Sequence, residues 1–152
     1  MCFGRLLQET GGWRAAEIKP RCAMIFNRQR HSAERRSLGR WGEKRCERFL
    51  KRKGLKTLAR NYCCAAGEID LIMVDTDRSI VFVEVRTSTQ ETFGPPEQSV
   101  TLPKKAKLLR AARTFLAAHD ISDRPFRFDV VGITVHRREP VEMRHYRNAF
   151  SP

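Results

Sequence analysis

Two apolar runs near the middle of the chain contain carboxylates among residues that otherwise form strands. The first run is Gly67–Ile72 (GEIDLI) and the second is Phe82–Arg86 (FVEVR). Both have the composition of buried β-strands, and a carboxylate that leaves water costs several kcal/mol unless a cation, a metal ion or hydrogen bonds compensate it. The two runs therefore predict a cation site where they meet.

Strand alternation predicts which of these charged side chains share a face. Asp70 shares a face with Glu68, and Glu84 shares one with Arg86, because side chains alternate along a strand. The linker 75–79 is short and polar, which predicts antiparallel neighbours and sets Asp70 across from Glu84 and Arg86. Such a group can hold a hard divalent cation beside a charge that faces a phosphate. A structural Glu84–Arg86 salt bridge, with Asp70 at a strand end, explains the spacing equally well.

The composition bounds the class of protein. The chain has 152 residues, of which 41% are hydrophobic, so it has room for one domain with a real core. Its five cysteines are odd in number, lack C-x-x-C spacing and follow no secretory h-region, which predicts a reducing, cytoplasmic location. The four histidines do not sit at zinc-ligand spacing with them. No apolar run approaches about 18 residues, so no membrane span is expected.

The basic residues are unevenly distributed along the chain, whose net charge is +13. Residues 61–103 carry two basic and seven acidic residues, whereas 38–60 carry nine and two, and 104–152 carry eleven and five. Positive surface around an acidic centre suits a polyanion, and nucleic acid is the obvious candidate. A solvated basic surface, or one that touches anionic lipid, is the alternative.

A first helix is predicted over Gly42–Lys53, ended by Gly54. Glu43 lies at the edge of its apolar stripe, while Glu47 sits further round, so Glu43 is the helix acid expected to face inward. A first-turn acid favoured by the helix dipole would explain Glu43 as well.

A second helix is predicted from Thr101, as its N-cap, to about His119. One side of this helix carries cations without a single acid, which favours phosphate contact, although a solvated face is the usual explanation. The candidate nucleic-acid contacts are Lys104, Lys107 and Arg110.

Three further strands complete the prediction, over Leu55–Tyr62, Phe126–Val135 and Val141–Tyr146. The order α-β-β-β-α-β-β predicts one α/β domain in which helices flank a mixed sheet. This domain would cover residues 38–150, while residues 1–37 are expected to form a basic, disordered N-terminal extension.

A series of short motifs occurs in order over residues 38–150. They are Gly39–Glu43, Arg60–Tyr62, Gly67–Ile72, Phe82–Arg86, Lys104 with Lys107, Arg127–Val131 and Asn148–Phe150. Together they resemble the YraN family, a largely uncharacterised bacterial family. Its fold resembles restriction endonucleases and Holliday-junction resolvases of the PD-(D/E)xK nuclease superfamily.

The resemblance implies a role for each candidate residue. Asp70 falls at the superfamily's metal-binding aspartate, Glu84 at its second acidic ligand, and Glu43 at the helix glutamate that completes the site around Mg²⁺ or Mn²⁺. Arg86 falls where the superfamily usually has lysine. A desolvated lysine can lose its proton whereas arginine stays charged, so Arg86 would orient the phosphate or stabilise charge in the transition state.

The function implied by the resemblance is metal-dependent endonucleolytic hydrolysis of nucleic acid by a restriction-endonuclease-like α/β domain. DNA is favoured over RNA as the substrate, but the sequence leaves this choice open. One alternative is a non-catalytic nucleic-acid-binding module that keeps the fold. Another is an adaptor that docks on a larger DNA-processing or ribosomal machine. The oligomeric state is left open, and a homodimer is compatible with the sequence.

Overall fold

The computed structural model describes residues 33–89, 100–136 and 139–150. Two helices and five strands follow one another in the order predicted from the sequence. They are α1 (Ala33–Arg52), β1 (Lys56–Cys64), β2 (Gly67–Val74), β3 (Ile80–Ser88), α2 (Leu102–Ala118), β4 (Phe126–Thr134) and β5 (Glu142–Phe150).

The five strands form one sheet whose spatial order is the chain order, β1 to β5. β3 and β4 are parallel, and the other neighbours are antiparallel. Parallel neighbours need a crossover, and α2 lies in the connection between β3 and β4. The predicted single α/β domain with a mixed sheet flanked by helices is confirmed.

The two helices bury opposite faces of the sheet. α1 packs Cys46 and Leu50 against a cluster that includes Leu71 and Val83. On the α2 side the cluster contains Leu108, Ala112, Phe115, Ile72, Phe82 and Phe128. The central strand β3 is buried from Ile80 to Glu84. A charged side chain on this strand is therefore removed from water.

The predicted start of the first helix is wrong, because α1 begins at Ala33 rather than Gly42. Gly42 is buried inside the helix, where a Cβ atom would overlap the Thr87 hydroxyl. This glycine therefore permits a close approach of α1 to β3. The helix crosses the predicted boundary between extension and domain, and most of the predicted extension, residues 1–32, lies outside the described residues.

The predicted helix ends agree better with the structure. Gly54 has a φ of 94°, and its N–H donates to the Lys51 carbonyl, so it ends α1 as expected. Thr101 occupies the N-cap position of α2, but its side chain makes no capping hydrogen bond. In the described segments neither helix is long and apolar enough to cross a lipid bilayer.

The last strand extends four residues beyond its predicted end at Tyr146. The β4–β5 register shifts between Phe128 and Val130, and Asn148 opposite this region has a left-handed φ of 50°. The Asn148 N–H donates to Asp129 Oδ1 over 2.9 Å. This irregularity interrupts the alternation of inward and outward side chains on which the sequence prediction relied. The pairing of β5 with β4 nevertheless continues to Phe150.

Asp129 is fully buried and holds β5 to β4. Its carboxylate accepts hydrogen bonds from Arg127 Nε (3.0 Å) and the Asn148 N–H, and lies 2.9 Å from His145 Nε2. Burial acts to raise the Asp129 pKa, but hydrogen bonds from His145, Asn148 and Arg127 outweigh it and lower the pKa. The motifs Arg127–Val131 and Asn148–Phe150 are thus explained by structure.

We expect Gly42→Ala to destabilise the protein, because overpacking against Thr87 costs about 1–3 kcal/mol. The gain in helix propensity, at most about 1 kcal/mol, is no larger than the lower end of this cost. Gly39→Ala in the same helix is the matched control, since its Cβ would meet nothing within 4 Å. Urea unfolding should show a loss for Gly42→Ala and no loss for Gly39→Ala. Equal midpoints would contradict the close approach.

Candidate active site

Asp70 and Glu84 lie on adjacent antiparallel strands. The β2–β3 ladder runs to the pair Leu71–Val83, and Asp70 and Glu84 are the next residues on the two strands. The Val85 N–H donates to Asp70 Oδ2 over 2.8 Å and holds this carboxylate against β3. The structure therefore brings together the two acids that strand alternation placed side by side.

Glu84 is a buried carboxylate between two cations, and its side chain is 5% exposed. Arg86 Nε lies 3.4 Å from Oε1, and Lys104 Nζ lies 3.2 Å from Oε2. Within the described residues, neither Glu84 Oε2 nor Arg86 Nε makes an aligned hydrogen bond. Buried polar atoms are normally hydrogen-bonded, so among the described residues the Lys104 ion pair satisfies Glu84 Oε2 only in part.

The electrostatics of the two carboxylates point the same way. Burial, with the charge of Asp70, raises the pKa of Glu84 to about 7, although Lys104 and Arg86 oppose the shift. Burial also raises the pKa of Asp70, against the hydrogen bond from Val85 and the charge of Lys104. Burial is the first cause of both shifts, so the raised pKa values mean that the neighbouring cations compensate the desolvation of the two carboxylates only in part.

Glu43 approaches the same site from α1, where it is half-buried. Burial and then the charge of Asp70 raise its pKa, while a hydrogen bond with Asn61 lowers it. Even so, the described parts of the chain contain no group of three His, Cys, Asp or Glu side chains arranged to hold a metal ion. Glu43 therefore lies near the Asp70–Glu84 pair without completing a three-ligand cage.

Asn61 is a site residue that sequence reasoning missed. Arg60 pairs with Leu71 and Tyr62 with Ile69, which places Asn61 opposite Asp70. Its φ of 48° is left-handed, a conformation that asparagine tolerates better than most residues. The signal in the sequence was an asparagine inside a strand, where this residue is disfavoured.

The strict alternation predicted for β2 is not kept at this point. Ile69 and Ile72, three positions apart, both pack in the cluster on the α2 side. In β1, Ala59 and Tyr62 are also three positions apart, and both pack in this cluster. Asn61, with its left-handed backbone, lies inside this interval, where both strands change the side of the sheet that alternate residues face.

The prediction that Glu47 sits further round the helix than Glu43 is wrong, because Glu47 is only 8% exposed. It accepts hydrogen bonds from Thr57 Oγ1 (2.7 Å) and from Arg60 Nε (2.8 Å) and Nη2 (2.7 Å). Lys51 Nζ lies 2.8 Å away. The Arg60 hydrogen bond is the main cause that lowers the Glu47 pKa to about 2. Contacts with β1, distant in sequence, bury this acid.

The three predicted nucleic-acid contacts on α2 do not behave alike. Lys104 turns toward Glu84, and its side chain is 27% exposed. Lys107 and Arg110 are exposed. Lys104 therefore belongs to the acidic site, while the other two remain candidates for phosphate contact.

Relatives of this chain are similarly short proteins that match most of its length. A UPF0102 protein of Roseiflexus castenholzii is 46% identical over 75% of this chain and 93% of its own length. One from Pelotomaculum thermopropionicum is 40% identical over 76% and 97%, and one from Nitrosomonas europaea is 45% identical over 67% and 83%.

Among solved structures, a weak likeness is found to Pyrococcus furiosus SfsA in complex with Ca²⁺. The TM-score is 0.34 and the identity 14%, over 74% of this chain and 63% of that one. A likeness of this strength supports no conclusion about this protein.

The family model described as "Uncharacterised protein family UPF0102" matches residues 42–133, which include all seven candidate residues predicted from the sequence. The family resemblance carried by the sequence motifs is confirmed. This chain belongs to the uncharacterised protein family UPF0102, the YraN family.

Proposed function

We propose that this protein is a metal-dependent nuclease that hydrolyses phosphodiester bonds in nucleic acid, DNA in preference to RNA. The observation that carries the proposal is the buried Glu84 carboxylate beside Asp70, with Oε2 lacking an aligned hydrogen bond in the described structure. A raised pKa and a buried oxygen that an ion pair satisfies only in part are unfavourable in a purely structural acid, which supports a functional role.

The donor set fits Mg²⁺ or Mn²⁺, which prefer carboxylate oxygens. Asp70 and Glu84 would hold the ion, with Glu43 as the adjacent acid on α1. Mg²⁺ is commonly bound through one or two carboxylates, with water and substrate phosphate filling the other positions. Two carboxylates without a third protein ligand are thus compatible with this ion. When bound, the ion would supply Lewis-acid chemistry.

Lys104 partly neutralises Glu84, with its ammonium 3.2 Å from Oε2. From this position Lys104 would also contact a substrate phosphate bound beside the carboxylate. Arg86 has a side chain that is 41% exposed. It would donate hydrogen bonds to the phosphate and stabilise charge that develops during cleavage.

A non-catalytic nucleic-acid-binding module is the second candidate, because no ready three-ligand metal group exists among the described residues. The same basic surface would serve this function. Cleavage assays separate the two proposals.

We expect cleavage of nucleic acid with Mn²⁺ or Mg²⁺ and none with EDTA, tested on single-stranded, duplex and branched substrates. Asp70→Asn should lower cleavage by on the order of 10² or more, because a ligand and a charge are lost, while binding persists. The matched control is Asp123→Asn, which changes an exposed acid. Salt-dependent binding without cleavage on any substrate would favour the non-catalytic module. Neither binding nor cleavage would leave an adaptor role.

Metal affinity should rise with pH through about 7, because the pKa of Glu84 is raised to about 7 and its proton must leave before a cation binds. Below that pKa the carboxyl is protonated, and the proton competes with the metal for this carboxylate. Isothermal titration with Mn²⁺ in buffers of different ionisation enthalpy should detect the released proton. Glu84→Gln should bind more weakly and lose this part of the pH dependence. Affinity that is unchanged between acidic and basic buffers would contradict the assignment.

Neutralising Lys107 and Arg110 together should weaken nucleic-acid binding for all sequences and reduce the salt slope by about 2, one per phosphate contact. Arg78→Gln, in the turn between β2 and β3, is the control for an exposed arginine elsewhere. Fluorescence anisotropy over a series of salt concentrations measures both quantities. An unchanged slope would mean that this face of α2 is only solvated.

A further inference from the structure

A cleft of about 250 Å³ lies between α1 and the first two strands. It adjoins the acidic site, because Glu43 lines the cleft and also lies within the electrostatic influence of Asp70. Three cations line it as well: Arg40, Lys44 and Arg60. This cleft is separate from the basic face of α2.

The cleft is positive on balance, although two acids line it. Glu47 is already neutralised by hydrogen bonds from Arg60 and by Lys51 at 2.8 Å. Its carboxylate therefore acts as an anchor rather than as a charge that repels an anion. Arg40 and Lys44 are both exposed on α1 and contribute further positive charge.

Arg60 is held in one orientation before any ligand arrives. Its Nε and Nη2 bond to the two oxygens of Glu47 at 2.8 and 2.7 Å, and Thr57 Oγ1 fixes the same carboxylate at 2.7 Å. The arginine side chain nevertheless remains 57% exposed. A guanidinium fixed along one edge presents its other N–H groups to a ligand with little loss of side-chain entropy.

The backbone beside Arg60 is strained where it lines the cleft. Asn61 adopts a φ of 48° and hydrogen bonds to Glu43. Left-handed non-glycine residues cost free energy and cluster at binding sites. The Arg60–Asn61 pair thus links the cleft to the acid on α1.

We propose that this cleft binds a backbone phosphate of a nucleic acid, next to the phosphate that is cleaved, with Arg60 as the main contact. The fork of a guanidinium matches the oxygens of a phosphodiester, and Arg40 and Lys44 close the cleft from α1. The adjacency to the cleaved phosphate rests on the proposed nuclease function, but phosphate binding in the cleft does not. The cleft would fix which phosphate reaches Asp70 and Glu84.

The test compares Arg60→Lys with Arg60→Gln in binding of a fluorescent oligonucleotide in EDTA, so that no cleavage takes place. Arg60→Lys keeps the charge but loses the fork, so we expect about tenfold weaker binding with an unchanged salt slope. Arg60→Gln should also reduce the slope by about 1. Arg48→Lys and Arg48→Gln are the matched controls, because Arg48 is an exposed cation of α1 that does not line the cleft.

Equal effects of the Arg60 and Arg48 substitutions would overturn the proposal. Because Arg60 substitution unpairs a buried acid, urea midpoints are measured for every variant. If the Arg60 variants do not fold, the Arg40→Gln/Lys44→Gln double variant keeps the Arg60–Glu47 pair and should reduce the slope by about 2. No reduction in that variant would also overturn the proposal. Absence of cleavage by the wild-type protein would leave these binding results unaffected, so failure of the nuclease proposal is recognised separately.

Inorganic phosphate distinguishes a free anion from a backbone phosphate. At equal ionic strength, the labelled oligonucleotide should be displaced by unlabelled oligonucleotide at far lower concentration than by inorganic phosphate. Comparable displacement by the two competitors would assign the cleft to a free anion and overturn the nucleic-acid assignment. If cleavage is found, Arg60→Lys should raise KM more than it lowers kcat, because the residue positions substrate.

Discussion

The desolvation of Glu84 is the constraint on which the candidate site depends. Its strand, β3, lies at the centre of a sheet that α1 and α2 cover on opposite faces, so the carboxylate is removed from water. The carboxylate of Asp70, on β2, accepts a hydrogen bond from the N–H of Val85, the residue that follows Glu84 on β3. Everything else at the site, including Lys104 from α2 and Glu43 from α1, is arranged around these two negative charges.

Three buried acids differ in how far the fold compensates their charge. Glu47 and Asp129 are surrounded by hydrogen-bond donors, and their pKa values are lowered, to about 2 in the case of Glu47. Glu84 has two neighbouring cations, yet burial and Asp70 raise its pKa to about 7. Satisfied acids hold elements together: Glu47 joins α1 to β1, and Asp129 joins β4 to β5. Glu84 is therefore the one of the three whose partners do not outweigh its burial.

The basic side chains also differ in whether they pair with a buried acid. Arg60 is immobilised by Glu47, and Lys104 is drawn inward by Glu84, whereas Lys107 and Arg110 extend into solvent. The buried glycine Gly42 completes this arrangement because it lets α1 approach β3 at Thr87. That approach carries Glu43 toward Asp70 and leaves the Arg60 cleft beside it. One helix thus serves both the acidic site and the basic cleft.

The sequence by itself determined the order of elements, the α/β class and the neighbourhood of Asp70 and Glu84, because these follow from local periodicity and from two runs joined by a short linker. The family was also readable from its motifs. The tertiary structure decided the burial of Glu47, the inward turn of Lys104, the role of Asn61 and the start of α1. Each depends on contacts between segments far apart in the chain, such as Glu47 with Arg60, Lys104 with Glu84 and Gly42 with Thr87. Local sequence patterns indicate which residues form helices and strands, whereas only packing determines which charged side chains are buried next to one another.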